Sequence, residues 1–481
     1  MKADGRSLAD FGTLSTAETE LARCARMGNP WKASTKAPDE MHSHKAEYTV
    51  NAKFVRFLVL GGDDDAPVHE RGVHIEGAYI KGSLDFTGCK GMRVFRAINC
   101  RIDGDLTLEV ASTSSLYLDG SRVGRIVGNR AEINGSLYLR FGFVAEHGLD
   151  LSGSHVTGSI SCRGGTFRPG PPSDDEPVAY TFRMDDAEIA GALVFGARHA
   201  DDDEKRNLTK LKGIVSLQGT TCAALIDHPD TYKEVNAGQL RLHGFRYGRL
   251  AGVRATEIEV RKDWLRKATP HSGFSQQTYD YLAGVLREMG HEDEARQILI
   301  ERQVLQRASI NRARQNIAAR VLGLIVNCSI HVFVRYGYEP WRAIFWSLLP
   351  IAVGCLVFGA SYRLGHIIPS NYTAATGPAW QACQTTLADR AKAEDEGGAV
   401  EDRAACLEIP NYPKFNPLWY SFDTFVPILS IRQEDYWAPA PNAPVARNYL
   451  NLHVILGWLL ITLGLSSTLG LVQRRGVPGG R

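Results

Sequence analysis

Ile133-Asn134-Gly135-Ser136-Leu137-Tyr138-Leu139 and Val156-Thr157-Gly158-Ser159-Ile160-Ser161-Cys162 are two copies of one phrase. An apolar residue stands two before a glycine, and apolar residues stand two and four after it. The same phrase reads Ile80-Lys81-Gly82-Ser83-Leu84-Asp85-Phe86, Ile102-Asp103-Gly104-Asp105-Leu106-Thr107-Leu108 and Ile189-Ala190-Gly191-Ala192-Leu193-Val194-Phe195. Its apolar positions share one parity, the period of a strand and not of a helix. A second phrase alternates with it, as in Leu116-Tyr117-Leu118-Asp119-Gly120 and Leu149-Asp150-Leu151-Ser152-Gly153. Gly82 and Gly104 lie 22 residues apart, and Gly135 and Gly158 lie 23 apart. The wider interval from Gly104 to Gly135 reads as holding an extra half-turn around Val123 and Ile126. Strands this short cannot each bury a face alone, but stacked coils bury the inward residues of one against those of the next. The spacing predicts a right-handed parallel β-helix, a solenoid, over residues 71–252. An antiparallel meander would share the alternation but has no reason to keep a fixed period.

The flanks change character. Residues 1–70 read as a helical cap, with Ser15-Thr16-Ala17-Glu18 as a capping box and an apolar element from Phe54 to Leu60. Two insertions, 168–178 and 201–207, read as loops projecting from the stack. Between residues 275 and 307, Tyr279, Leu282, Val285 and Leu286, then Ala295, Ile298, Leu299 and Leu305, fall at helical spacing around Gly290. This resembles a single tetratricopeptide-type helix pair, read as a connector. It belongs to a third segment, 253–340, that ends in a basic helix. Six arginines and no acid lie between residues 302 and 338. Ile310, Ile317, Val321 and Leu324 share a helical face, so Arg307, Arg312, Arg314 and Arg320 are expected on an anionic membrane surface. Nucleic acid is discounted as a partner, because no stacking aromatics are interleaved with these arginines.

The fourth segment, 341–475, carries the long apolar runs. Residues 343–362 and 452–472 are each about the 20 needed to cross a bilayer. Trp341, Trp346 and Trp458 are aromatic anchors. Residues 321–334 are shorter, contain Asn327 and His331, and read as interfacial. No apolar N-terminal leader is visible. Arg335, Arg342, Arg474, Arg475 and Arg481 fall on one side of the two spans. An integral plasma-membrane (inner-membrane) protein is therefore expected, with both termini cytoplasmic and the loop 364–450 outside. That loop holds ten acidic and six basic residues and two cysteines, Cys383 and Cys406, expected to form a disulfide. The net charge of +2 points to no partner, and the nine cysteines show no metal-type pairing.

Before the second span comes Asn416-Pro417-Leu418-Trp419-Tyr420-Ser421-Phe422-Asp423-Thr424-Phe425-Val426-Pro427-Ile428-Leu429-Ser430-Ile431. The layout resembles the span–pore-helix–span order of two-helix cation channels. It departs from them at Phe425-Val426-Pro427-Ile428-Leu429, where a glycine-containing filter would stand. The expectation is an interfacial helix with Trp419, Tyr420, Phe422 and Thr424 among headgroups and Asp423 toward water. A pore helix is the rival, with Asp423 or the Glu434–Asp435 pair as an acidic ring. The whole order resembles a family of bacterial two-span membrane proteins with pentapeptide-like or bactofilin-like β-helix domains. Some members are called membrane-associated oxidoreductases. His366 and His453 are the residues that could serve a haem, and no dinucleotide-binding glycine pattern is present. No cofactor, metal or catalytic residue is assigned. The leading expectation is a non-enzymatic scaffold presenting a cytosolic β-helix to a protein partner, with a second copy of the chain as a further candidate partner. An oligomeric two-helix pore or sensor is the alternative, and a membrane-associated oxidoreductase the second.

Overall fold

In the computed structural model, Leu137 pairs in parallel with Leu116 before it and Ile160 after it, and all three are fully buried. The structure describes residues 7–43, 45–171, 178–197, 207–268, 275–378, 380–381 and 412–474. The chain divides into two units, 1–309 and 310–481.

In the first unit the chain visits four columns of parallel strands in a fixed order. One column is a seven-stranded sheet that includes Thr49–Asn51, Tyr79–Lys81 and Arg101–Ile102. A second seven-stranded sheet aligns Leu84, Leu106, Ile126, Leu149, Phe182, Val215 and Leu240 in register. None of these seven exceeds 1% exposure, so the second sheet contributes a continuous apolar column. The other two columns fuse into one twelve-stranded sheet, because Glu188–Val194 pairs with both His155–Val156 and Ile160–Ser161. The pairing begins at Trp31 with Ile75, so the stack already includes part of the N-terminal segment.

The glycine-serine pair explains itself at the corners. The Gly158 amide donates to the Gly135 carbonyl at 2.7 Å. The Ser115, Ser136 and Ser159 hydroxyls accept the amides of Ser136, Ser159 and Ala192 at 3.1, 3.0 and 3.0 Å. A Cβ on Gly135, Gly158 or Gly191 would stand 2.3, 2.3 and 2.4 Å from those same hydroxyls. Each glycine leaves room for the serine one coil earlier. Gly104 belongs to a different corner, where Gly124 donates to its carbonyl at 3.0 Å. The wide Gly104–Gly135 interval therefore spans one and a half coils, a full coil to Gly124 and then the expected half-turn through Ile126 to a second corner.

Helices close both ends. Ser15 and Glu18 form the expected capping box on α1, Thr16–Met27. α2, Ala52–Val59, buries Phe54, Val55, Phe57 and Leu58. At the far end α3, Ile258–Ala268, covers the last coil with Trp264 and Leu265. Its Arg261 donates to both Asp227 oxygens, at 2.7 and 3.0 Å, with both side chains almost fully buried. The expected hairpin is α4, Gln276–Glu288, and α5, Glu292–Ala313, separated at Gly290, φ +86°. The Tyr281 hydroxyl donates to the Tyr247 carbonyl and accepts its amide, both at 3.1 Å. That satisfies the edge strand Arg246–Ala251.

The second unit contains α6 (Ile317–Val334), α7 (Trp341–Arg363), α8 (Pro417–Phe425) and α9 (Pro444–Arg474). Three stretches are long and apolar enough to cross a membrane: Ile317–Gly337, Trp341–Arg363 and Pro444–Thr468. The first of these was expected to be too short. The basic run is also not one helix: α5 stops at Ala313 and Asn316 caps α6, its side chain accepting the Ala318 amide at 2.9 Å. Cys383 and Cys406 lie outside the described residues, as do most of the insertions 168–178 and 201–207.

Leu137→Asp should cost at least about 4 kcal/mol, because it sets an unpaired charge inside the stack. A circular-dichroism melt measures this; a wild-type midpoint would contradict the inward assignment of Leu137.

Candidate functional site

α8 is short, about 13 Å for its nine residues, so it reaches roughly half the thickness of a hydrocarbon core. Asn416 caps it, accepting the amides of Leu418 and Trp419 at 3.0 and 3.1 Å, and Pro417 occupies the first turn, where no amide is needed. It enters level with the end of α7, where Phe415 stacks on Tyr362 at 4.5 Å. Pro417 also lies against Gly359, 3.5 Å from where a Cβ would be.

One turn deeper, three helices meet at a single residue. The Ser421 hydroxyl donates to the Ile351 carbonyl at 2.9 Å. His453 of α9 places Nε2 2.9 Å from the Ser421 carbonyl, so Nε2 carries the proton and donates. A Cβ on Gly354 would stand 2.2 Å from the Ser421 hydroxyl and 2.8 Å from the His453 ring. At the foot of α8, the Phe425 carbonyl would be 1.9 Å from a Cβ on Gly457. Phe425 is fully buried with Ile351 and Leu460. Gly354 and Gly457 each lie near the middle of their own apolar helix. α8 therefore penetrates to the midpoint of the α7–α9 pair.

The chain then returns. Pro427 cannot continue a helix. The Asp423 carboxylate, 2% exposed, accepts the amides of Ile431 and Glu434 at 2.7 and 3.0 Å. The Asn416 amide donates to the Gln433 side chain at 3.2 Å, which closes the return beside the entrance. From there Trp437–Pro439 pairs antiparallel with Ile367–Pro369, over a cluster of Phe358, Tyr362, Trp380, Tyr420 and Trp437.

This corrects the expectation of a surface helix with Asp423 in water. Asp423 is turned inward because two backbone amides of the return need its oxygens. Tyr420 and Thr424 are buried, the Thr424 hydroxyl donating to the Tyr420 carbonyl at 2.8 Å. Trp419 is 48% exposed and Phe422 half-buried. Glu434 and Asp435 stand exposed at the rim. Partial desolvation against the return raises the Glu434 carboxyl above its ordinary range, and the neighbouring Asp423 and Asp435 charges add to the shift. The bottom of the return is bare. Ile428, Leu429 and Ile431 are 62%, 54% and 40% exposed, and among the described residues the Ile428 and Ser430 amides have no hydrogen-bond partner. Sequence reasoning gave Ser421 no role and named His453 only as a residue that could serve a haem. The signal that could have found the site was a glycine near the middle of each apolar run.

Among the described residues no group of three or more His, Cys, Asp or Glu could hold a metal. His366 is exposed while His453 is buried against Ser421. The cysteines inside the stack are poor nucleophiles: burial pushes the Cys100 and Cys222 thiols up to about 12 and raises Cys162 as well. No family model, curated protein or solved structure matches the chain.

Asp423→Ala should leave the Ile431 and Glu434 amides unpaired and free the return, at a cost of about 3 kcal/mol. Trypsin should then cut after the exposed Arg432 at least about ten times faster than in wild type. Asp435→Asn should leave the rate unchanged. Equal cleavage of all three would mean that Asp423 does not hold the segment.

Proposed function

We propose that the protein is an oligomeric, channel-like membrane protein in which the returns after α8 from neighbouring copies surround a central pathway. The carrying observation is the bare return at the midpoint of two apolar helices. A hydrocarbon core offers backbone groups no partner, so irregular backbone at that depth is tolerated only inside protein or beside water. Copies of the chain arranged around an axis supply both. Without glycine the return cannot align a column of carbonyls. Ile428 and Leu429 would form an apolar constriction that gates by wetting, with Ser430 beside it and Glu434 and Asp435 drawing cations to the mouth.

In this reading α7 and α9 cross the plasma membrane, and α6 lies in the cytoplasmic leaflet. Arg320, Asn327 and His331 share one face of α6, as an interfacial helix requires. Gly337 lies beside Ser467, 3.6 Å from its Cα to a placed Cβ, so the short connection between α6 and α7 is at the same end as the close of α9. Both ends are arginine-bearing, which supports two cytoplasmic termini and an outer loop 364–450. A C-terminal epitope should resist protease in intact cells and be digested once they are opened; digestion in intact cells would refute this sidedness.

The parallel stack is read as a right-handed β-helix, since parallel crossovers take that hand in about 98% of cases. It would act as the cytosolic interaction platform. An outward column supports this second role: Arg96 lies over Tyr117 at 4.6 Å, Tyr117 stacks on Tyr138 at 4.6 Å, and Arg140 covers Tyr138 at 4.3 Å.

Planar-bilayer recording tests the pore. Weakly selective cation currents are expected, without preference for potassium. They should fall on acidification, beginning above the ordinary glutamate range because Glu434 takes up its proton early. Glu434→Gln with Asp435→Asn should reduce cation preference, and Leu429→Ser should increase open time. If reconstituted oligomers pass no current with either the wild-type or the Leu429→Ser chain, the pore reading fails and the scaffold reading remains.

A further inference from the structure

Between α5 and α6 the chain makes a three-residue break, Arg314 to Asn316, and two arginines fold back across it. The Arg320 guanidinium donates through Nε to the Arg314 carbonyl at 2.6 Å and through Nη2 to the Arg312 carbonyl at 3.3 Å. Arg314 donates the other way, through Nη1 to the Ala319 carbonyl at 2.8 Å. The Arg314 and Arg320 guanidinium groups are thereby held across the break, and Arg312 stands beside them in the last turn of α5. Among the described residues none of the three pairs with a carboxylate, and the sequence offers no acid between residues 302 and 338. Arg314 and Arg320 spend only part of their donors on backbone, and all three residues are exposed.

What surrounds this charge is apolar. Ile310, Ile317, Val321 and Leu322 are 52%, 75%, 50% and 62% exposed. Ile317–Gly337 is one of the three stretches apolar enough to enter a membrane. A cluster of guanidinium groups at the head of such a segment stands where phosphate headgroups lie. Guanidinium forks match phosphate oxygens two at a time.

We infer that the α5–α6 break is a binding site for the phosphodiester of an anionic glycerophospholipid. Arg312, Arg314 and Arg320 hold the phosphate, and the acyl chains lie along Ile317, Val321 and Leu322. Phosphate alone would meet the arginines but not the apolar collar, so the lipid is the occupant. The site rests on the membrane placement of α6 and not on the pore, so a failed conductance assay leaves it standing.

The test uses the full chain in a neutral maltoside, titrated with dioleoyl phosphatidylglycerol, dioleoyl phosphatidylcholine or glycerol phosphate and read by native mass spectrometry. Phosphatidylglycerol should be retained about ten times more tightly than phosphatidylcholine, and glycerol phosphate should not displace it. The triple change Arg312→Gln, Arg314→Gln, Arg320→Gln should abolish the preference, weakening phosphatidylglycerol at least about ten-fold more than phosphatidylcholine. Arg312→Gln alone, which leaves the hydrogen bonds across the break in place, should weaken it several-fold. Equal retention of the two lipids, displacement by glycerol phosphate, or unchanged binding in Arg312→Gln would each overturn the assignment.

Discussion

The first unit depends on a glycine standing where the serine hydroxyl of the preceding coil must fit. The hydroxyl accepts a corner amide that no strand partner reaches, and only a residue without a Cβ tolerates its approach. Gly135 with Ser115, Gly158 with Ser136 and Gly191 with Ser159 repeat the contact. The corner keeps successive coils in register, and register brings Leu116, Leu137, Ile160 and Leu193 into one buried column. Remove the corner and the strands, two residues long in many cases, have too few ladder bonds of their own to hold the stack.

The second unit applies the same economy to a different problem. A backbone that leaves the helix inside an apolar assembly needs acceptors brought to it. Asp423 supplies two, and Ser421 links α8 to α7 and α9. Gly354 and Gly457 let the helices approach closely enough for these bonds to form. In both units a polar side chain satisfies backbone, and a glycine beside it makes the room.

Period and parity made the stacked strands legible, because an inward residue every second position and a corner every coil leave a direct trace. They did not reveal that Gly82 and Gly104 stand at one corner of the coil and Gly135, Gly158 and Gly191 at another, since one coil's half looks like another's until pairing is known. α3 went unread because its buried face includes Arg261, which sequence counts as surface; only Asp227, 34 residues earlier, makes it a core residue. Asp423 misled for the same reason. A lone carboxylate among aromatics reads as a group seeking water, and the amides that claim it come eight and eleven residues later. The six arginines hid the break before α6, whose marker was the single cap Asn316.

Each coil of the stack touches the coil made 20 to 44 residues earlier, so nearly all its pairings join near neighbours in the chain. Most all-β proteins must bring distant strands together before anything is gained, and they fold slowly for that reason. Here the first complete coils can close over α2 while the rest of the polypeptide is still being synthesised, each finished coil offering the next a template. The apolar helices follow the stack in the sequence. By the time the ribosome exposes them, the stack has already had its chance to fold, and the apolar helices leave the tunnel attached to completed coils.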